Sequence, residues 1–470
     1  MSTPFLYILF PIILGVVLLA IRRWESQVVV LGTLLSLLLA FVAWWLPDED
    51  FFFFGPWYLQ LEDTWFVLGR RFELGLDDRP AIMILYLGAA FWFGSAYQAK
   101  AGRIFVPVGM FTIALLTAVI TVEPFLYAAL FIAMVVLISV PILCRPGQAI
   151  GKGVLRYLTF QTLGTPFILL TGWILAGVET ISGDLDTQIR ALILMAMGFA
   201  LLLAVFPFHS WVPMLAEECH PYTAAFVFLM LPIGITLFGL GFFDQFSWLR
   251  NADDSYLWLR YIGVMITVTS GIFAAVQRHL GRLLGFGALL EIGLSLIAIG
   301  LAQGEASRQY LGIFFAAMIP RGLGLGVWAL ALTLIWLRTG GLTFREVQGI
   351  GRQMPLVVFA LVLANLSLVG LPLLAGFPVR LVLLEGLAQT SLTSAILTIG
   401  GSAGLLIGGL RSMAVLVMGT DETTWKVTEL PAQIFFLGLG SLALILLGLF
   451  PQWFIPIFAD LPLMFKNLVH

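Results

Sequence analysis

Residues 201–222 read LLLAVFPFHSWVPMLAEECHPY. An apolar run that begins near residue 190 is interrupted at Phe206-Pro207 and then meets His209, Trp211, Pro213 and the pair Glu217-Glu218. A proline inside a helix removes one N–H and clashes with the preceding turn. The stretch therefore predicts a helix that is interrupted within its span.

The rest of the chain says what kind of helix this is. Of its 470 residues, 60% are hydrophobic and 11% charged, and the mean hydropathy is +1.03. Soluble domains carry about 25% charged residues, so the chain is an integral membrane protein. Crossing roughly 30 Å of hydrocarbon at 1.5 Å per residue takes about twenty apolar residues. Fourteen runs of that order occur, near 4–22, 27–46, 80–98, 104–121, 124–143, 157–177, 190–208, 221–243, 257–276, 283–302, 309–337, 355–390, 393–418 and 432–455. Their continuity predicts helices, because barrel strands alternate over about ten residues.

No positive charge precedes the first run and Arg22-Arg23 follows it, the reverse of a signal peptide. The run is expected to be retained with its N-terminus outside. Positive charges then gather in the inner loops, as at Lys100, Arg103, Lys152, Arg156, Arg278 and Arg282, which favours both termini on the outer side. The outer piece 47–79 alternates around Gly55-Pro56 and predicts a small hairpin. Cys144 and Cys219 have no metal-ligand spacing, and no phosphate-binding glycine loop occurs, so neither cofactor nor catalytic site is expected. The aromatics, fourteen tryptophans among them, read as belt and packing residues.

A second interruption, GLPLLAGFP, lies at 370–378 in the twelfth run. Paired broken helices mark inverted repeats in transporters, where freed backbone groups serve an ion. Counting outward gives a 1–103 segment of three helices with the 47–79 loop, a first five-helix repeat over 104–243, a second over 257–418 and a C-terminal helix in 419–470. A rival reading is a pair of proline kinks healed by neighbouring helices.

These residues resemble a known family. Pro207-Phe208-His209-Ser210-Trp211-Val212-Pro213 looks like PFHxWxP, Pro221-Tyr222-Thr223-Ala224 resembles PVSA, and RLLGFGALLEIG (282–293) is similar to RLLAYSSISHMG. MPLVVFALVLANLSLVGLPLLAGFPVR (354–380) resembles MP…LSLAGLPPLAGF followed by a basic residue. All belong to the antiporter-like subunits of respiratory complex I, Mrp-type cation/proton antiporters and membrane hydrogenases. The resemblance implies an all-α membrane fold whose half-channels are joined by buried lysines, a glutamate, histidines and water. It also implies, as partners, membrane lipids and other membrane subunits of a hetero-oligomeric complex, with protons, Na+ or K+ as cargo and no nucleic acid. The implied setting is an energy-coupling membrane of the bacterial plasma or thylakoid type.

The chain departs from that pattern. Its four lysines, Lys100, Lys152, Lys426 and Lys466, sit at segment ends or in loops. Where the family carries its buried charges, this chain has Leu202, Ile132 (or Ala133), Pro232 (or its neighbours) and Leu325. What remains is Glu291, in place of a frequent histidine; Arg321 in IPRGLG; Arg380 after the second break; and Glu385 five residues on.

An isolated charge at mid-membrane is costly, so Glu291 and Arg321 are expected to pair, either as a carrier or as a lock between helices, since arginine is a poor proton carrier. Arg380 reads as a path residue or an anchor held by carbonyls freed at the break, and Glu385 as a path residue or one reaching the inner interface. His209, with an ordinary pKa near working pH, reads either as a proton group or as a cap. Glu217, Glu218 and His220 read as a solvated inner edge or as an ion entry. Three functions follow: a subunit of a proton- or cation-translocating complex with an altered first half, a non-conducting docking subunit of one, or a stand-alone secondary transporter.

Overall fold

The computed structural model describes residues 2–45, 51–54, 57–60, 62–67, 69–75, 78–144, 147, 149–175, 185–419 and 427–469. It is an all-α membrane fold with a small β cap. The long helices are α1 (Phe10–Ala20, preceded by a π-turn), α2 (Glu25–Trp45), α3 (Arg79–Ala96), α4 (Phe105–Thr121), α5 (Ala128–Leu143), α6 (Lys152–Leu175) and α7 (Leu185–Leu202). After the first break come α8 (Trp211–Glu218), α9 (Pro221–Gln245), α10 (Asp253–Val276), α11 (Leu280–Leu301), α12 (Ser307–Ala316) and α13 (Met318–Thr339). The chain closes with α14 (Pro355–Val369), α15 (Gly376–Thr390), α16 (Leu392–Val417) and α17 (Pro431–Leu449).

Every one of the fourteen apolar runs carries helix. Among the described residues, nine helices are long and apolar enough to cross a membrane.

Three runs are interrupted. Two are those marked in the sequence, between α7 and α8 and between α14 and α15. The third separates α12 from α13 at Ala317, and its cause is Pro320, which has no N–H to return to the Ala316 carbonyl.

The outer segment forms two antiparallel ribbons. Residues 51–54 (β1) pair with 57–60 (β2), as the alternation predicts, although Gly55 and Pro56 lie outside the described residues. Thr64–Val67 (β3) and Arg70–Glu73 (β4) form a second hairpin, extended by Val122–Glu123 (β5) at the end of α4.

Burial is graded from the rim to the middle. α2, α6, α16 and α17 leave much of their surface exposed, whereas α9 is nearly enclosed and α11 is buried along its entire length.

Without an oil–water contrast between helices in lipid, close backbone approach must hold them. α10 lies against α11 and α16 on small residues: a Cβ on Gly271 would sit 2.0 Å from the Gly401 carbonyl oxygen, and one on Gly263 2.6 Å from that of Gly293. The obstruction is backbone and cannot swing aside. Gly271→Ala is therefore expected to cost about 1–3 kcal/mol by overpacking, read as a lower thermal midpoint of the purified chain.

Candidate functional site at the second helix break

Both marked breaks end their helix in the same way. At the second, Gly370 has φ +84°, its N–H donates to the Ser367 carbonyl, and the Leu371 N–H reaches back to Leu366. This is a Schellman cap. At the first, Ala204 takes the left-handed position at φ +55°, and the Val205 N–H reaches back to Ala200.

Each cap leaves one carbonyl of the last turn to be satisfied by a side chain. At the first break the carbonyl is that of Leu202, and the Gln161 amide of α6 donates to it at 2.9 Å. At the second it is that of Leu368, and the Arg380 guanidinium donates to it. The carbonyl two residues before the left-handed residue is thus closed by a neutral amide at the first break and by a fixed charge at the second.

Arg380 reaches this carbonyl because Gly370 has no side chain; a Cβ there would lie 2.2 Å from Arg380 Cδ. The same guanidinium donates to Ser402 Oγ at 3.1 Å and to Glu291 Oε1 at 2.5 Å. Arg321, from α13, brings its Nε to 4.0 Å from Glu291 Oε2. The pair expected between Glu291 and Arg321 is present but long, and Arg380 is the nearer partner. All three side chains are at most 9% exposed.

The cluster is therefore two guanidiniums around one carboxylate, drawn from α11, α13 and α15. Two further groups face it. Ser367 Oγ is buried with no hydrogen-bond partner among the described residues, as are Nε and Nη2 of Arg321. A cavity of about 20 Å³ lies among Glu291, Ser295, Pro320, Arg321, Ser367 and Arg380. That is room for about one water-sized guest.

Glu385 does not join this group. It is exposed on α15, at the end remote from the 340–354 loop.

His209 is held apart as well. It lies in a 3-10 turn, half-buried, its ring stacked between Phe206 and Phe273, with Phe273 stacked in turn on Phe286 of α11. Its Nδ1 has no partner among the described residues. What leads from His209 toward the helix of Glu291 is aromatic.

The acidic link is tied down. Glu217 accepts from Arg282 Nη2 at 2.5 Å, and Glu218 accepts the Gly153 N–H at 2.7 Å. His220 packs edge-on against Trp336. Together these contacts seat α8 between α6 and α11.

Next to them, His279 caps α11 by accepting the Arg282 N–H on Nδ1. Burial pushes its pKa down, as does Arg282, while Glu217 and Glu346 push the other way. The neutral ring is the form the fold favours, so this contribution is full above the unfolded value of about 6.5 and is lost as pH falls through the lower folded value. Hydrogen exchange in 280–285 is expected to quicken as pH drops from 7 to 5, after correction for the intrinsic rate.

Residues 178–406, which contain the whole cluster, match the family described as NADH:quinone oxidoreductase/Mrp antiporter, transmembrane. The match spans just under half of the chain. Solved structures carry the same fold across the full length of this chain. A chain of the respiratory complex I from Thermus thermophilus with bound NADH superposes at TM-score 0.78, with 20% identity over 100% of both chains. A chain of the membrane-bound sulfane sulfur reductase, an archaeal respiratory membrane complex, reaches 0.82 at 15% identity over 99% of this chain and 98% of that one. One of the Mrp complex from Dietzia sp. DQ12-45-1b reaches 0.79 at 15% over 99% of each.

In this chain the positions where the resemblance leads one to expect charges hold buried apolar residues: Ile132, Leu202, Pro232 and Leu325. Leu202 fills the space above Gly164, where a Cβ would stand 2.7 Å from its Cγ. Sequence reasoning missed Ser367, Ser402 and Gln161. Ser367 carried a usable signal, a lone hydroxyl in the last apolar turn before GLP, whereas Gln161 and Ser402 are brought in by helix packing.

Proposed function

We propose that this chain is a membrane subunit of a multi-subunit complex that moves protons or cations, and that any ion path through it runs in the second half. The observation that carries the second clause is the Glu291–Arg321–Arg380 cluster at the second break. Glu291 is its one group able to exchange a proton, because guanidiniums stay charged in proteins. A cavity of about 20 Å³ lies beside it.

The first clause rests on the family match together with the neighbours, each of which is described as a complex. The shared caps support reading 104–243 and 257–418 as two repeats. The loop charges support both termini on the outer face of an energy-coupling membrane. Lipids and sister subunits are then its partners, with protons, Na+ or K+ as cargo.

A second reading, a non-conducting docking subunit, is favoured by the neutral Gln161–Leu202 closure of the first half. Affinity purification of the full chain from its native membrane tests the assignment. Co-purifying membrane subunits with ion movement after reconstitution support it; a chain that purifies alone and carries a small solute overturns it.

A further inference from the structure

We infer that the cavity between Arg321 and Ser367 binds a small monovalent anion, with chloride the abundant candidate. The case rests on charge. Among the described residues, the elements enclosing the cavity are α11 to α15, and their charged groups here are Arg321, Arg380 and Glu291. One carboxylate against two guanidiniums leaves one positive charge in excess, deep in the fold. Arginine does not shed that charge by losing its proton, and a buried charge without a counter-charge is strongly disfavoured.

Geometry assigns the excess to one residue. Glu291 bonds directly to Arg380, whose remaining donors reach Leu368 and Ser402. Arg321 stands 4.0 Å from the other carboxylate oxygen, beyond hydrogen-bond distance, with Nε and Nη2 unmatched. Ser367 Oγ, fully buried on the cavity wall, is the other polar atom lacking a partner there. Two N–H donors and a hydroxyl without partners face about 20 Å³ of space, with the Glu291 carboxylate also on its wall. Water could satisfy these donors, but only an anion also balances the excess positive charge, and it accepts from all three. The cavity excludes sulfate and phosphate by size.

The inference uses the same cluster as the proposed function, but neither readout below measures ion movement, so each stands or falls alone. The full chain, with whatever subunits it retains, is exchanged into gluconate in lipid nanodiscs and titrated with chloride or bromide. The thermal midpoint is expected to rise by about 2 °C for each tenfold increase in halide above saturation of half the sites. Bromide should give anomalous density between Arg321 and Ser367.

Arg321→Gln removes the excess charge and is expected to abolish both signals. Ser367→Ala keeps the charge, loses one donor, and is expected to shift the halide midpoint upward about tenfold; it decides the matter if the first variant does not fold. Equal midpoints in gluconate and chloride with no bromide density would overturn the proposal, leaving water in the cavity. So would halide dependence that survives in Arg321→Gln.

Discussion

Glu291→Gln is expected to lower the unfolding free energy by about 3–5 kcal/mol, the cost of leaving a buried charge pair with one partner. The substitution keeps the shape of the side chain while stranding two guanidiniums, at most 8% exposed, around a neutral amide. Thermal unfolding of the purified chain measures the loss.

The same variant reports on transport. If Glu291 relays a proton, ion movement in reconstituted vesicles falls to background, because no other group of the cluster can exchange one. Unchanged movement with the assembly intact removes Glu291 as a carrier. Halide adds an internal check: with two unmatched cations the variant should depend more steeply on chloride than the parent.

Leu202→Lys places a lysine where the family expects one, and it is expected to destabilise the chain without creating a path. Its cost has two parts. Leu202 is buried and packs on Gly164, so losing its branched end forfeits about 2–5 kcal/mol by analogy with core truncations. An ammonium buried at the end of α7, inside the seventh apolar run, adds up to about 2.5–3.5 kcal/mol on insertion scales. The nearest polar group, the Gln161 amide, already holds the Leu202 carbonyl, and no carboxylate waits for the lysine, since Ile132 stands where the family would supply one. Expression level and thermal midpoint should both fall, with no gain in proton flux; a stable variant with new flux would show that the first half keeps a latent route.

Much of the fold was legible in the sequence because the bilayer permits so few solutions. Uninterrupted apolar runs have to be helices, and each run that was marked contains one. FPFHSWVP and GLPLLAGFP announced their breaks by proline and glycine. The break at Ala317 was harder to see, because Pro320 sits inside an otherwise apolar run and acts on a carbonyl four residues upstream.

The site was partly legible. Glu291, Arg321 and Arg380 stood out as charges in apolar surroundings. Their arrangement did not, since which arginine lies nearer to Glu291 depends on Gly370 giving the Arg380 stem room to pass, a feature of three helices together. Glu385 was grouped with them by its spacing along the chain, but its side chain is exposed on α15 and takes no part in the cluster.

α8 is seated on α11 where that helix is nearly bare: a Cβ on Gly281 would lie 2.3 Å from the Ala216 carbonyl, and one on Gly285 3.1 Å from the Ala216 side chain. Ten residues above the first of these contacts, the same helix carries Glu291. α11 is thus gripped at one end by α8, just past the first helix break, and bears along its length the carboxylate that faces the second. The two helix breaks are thereby joined through a single buried helix.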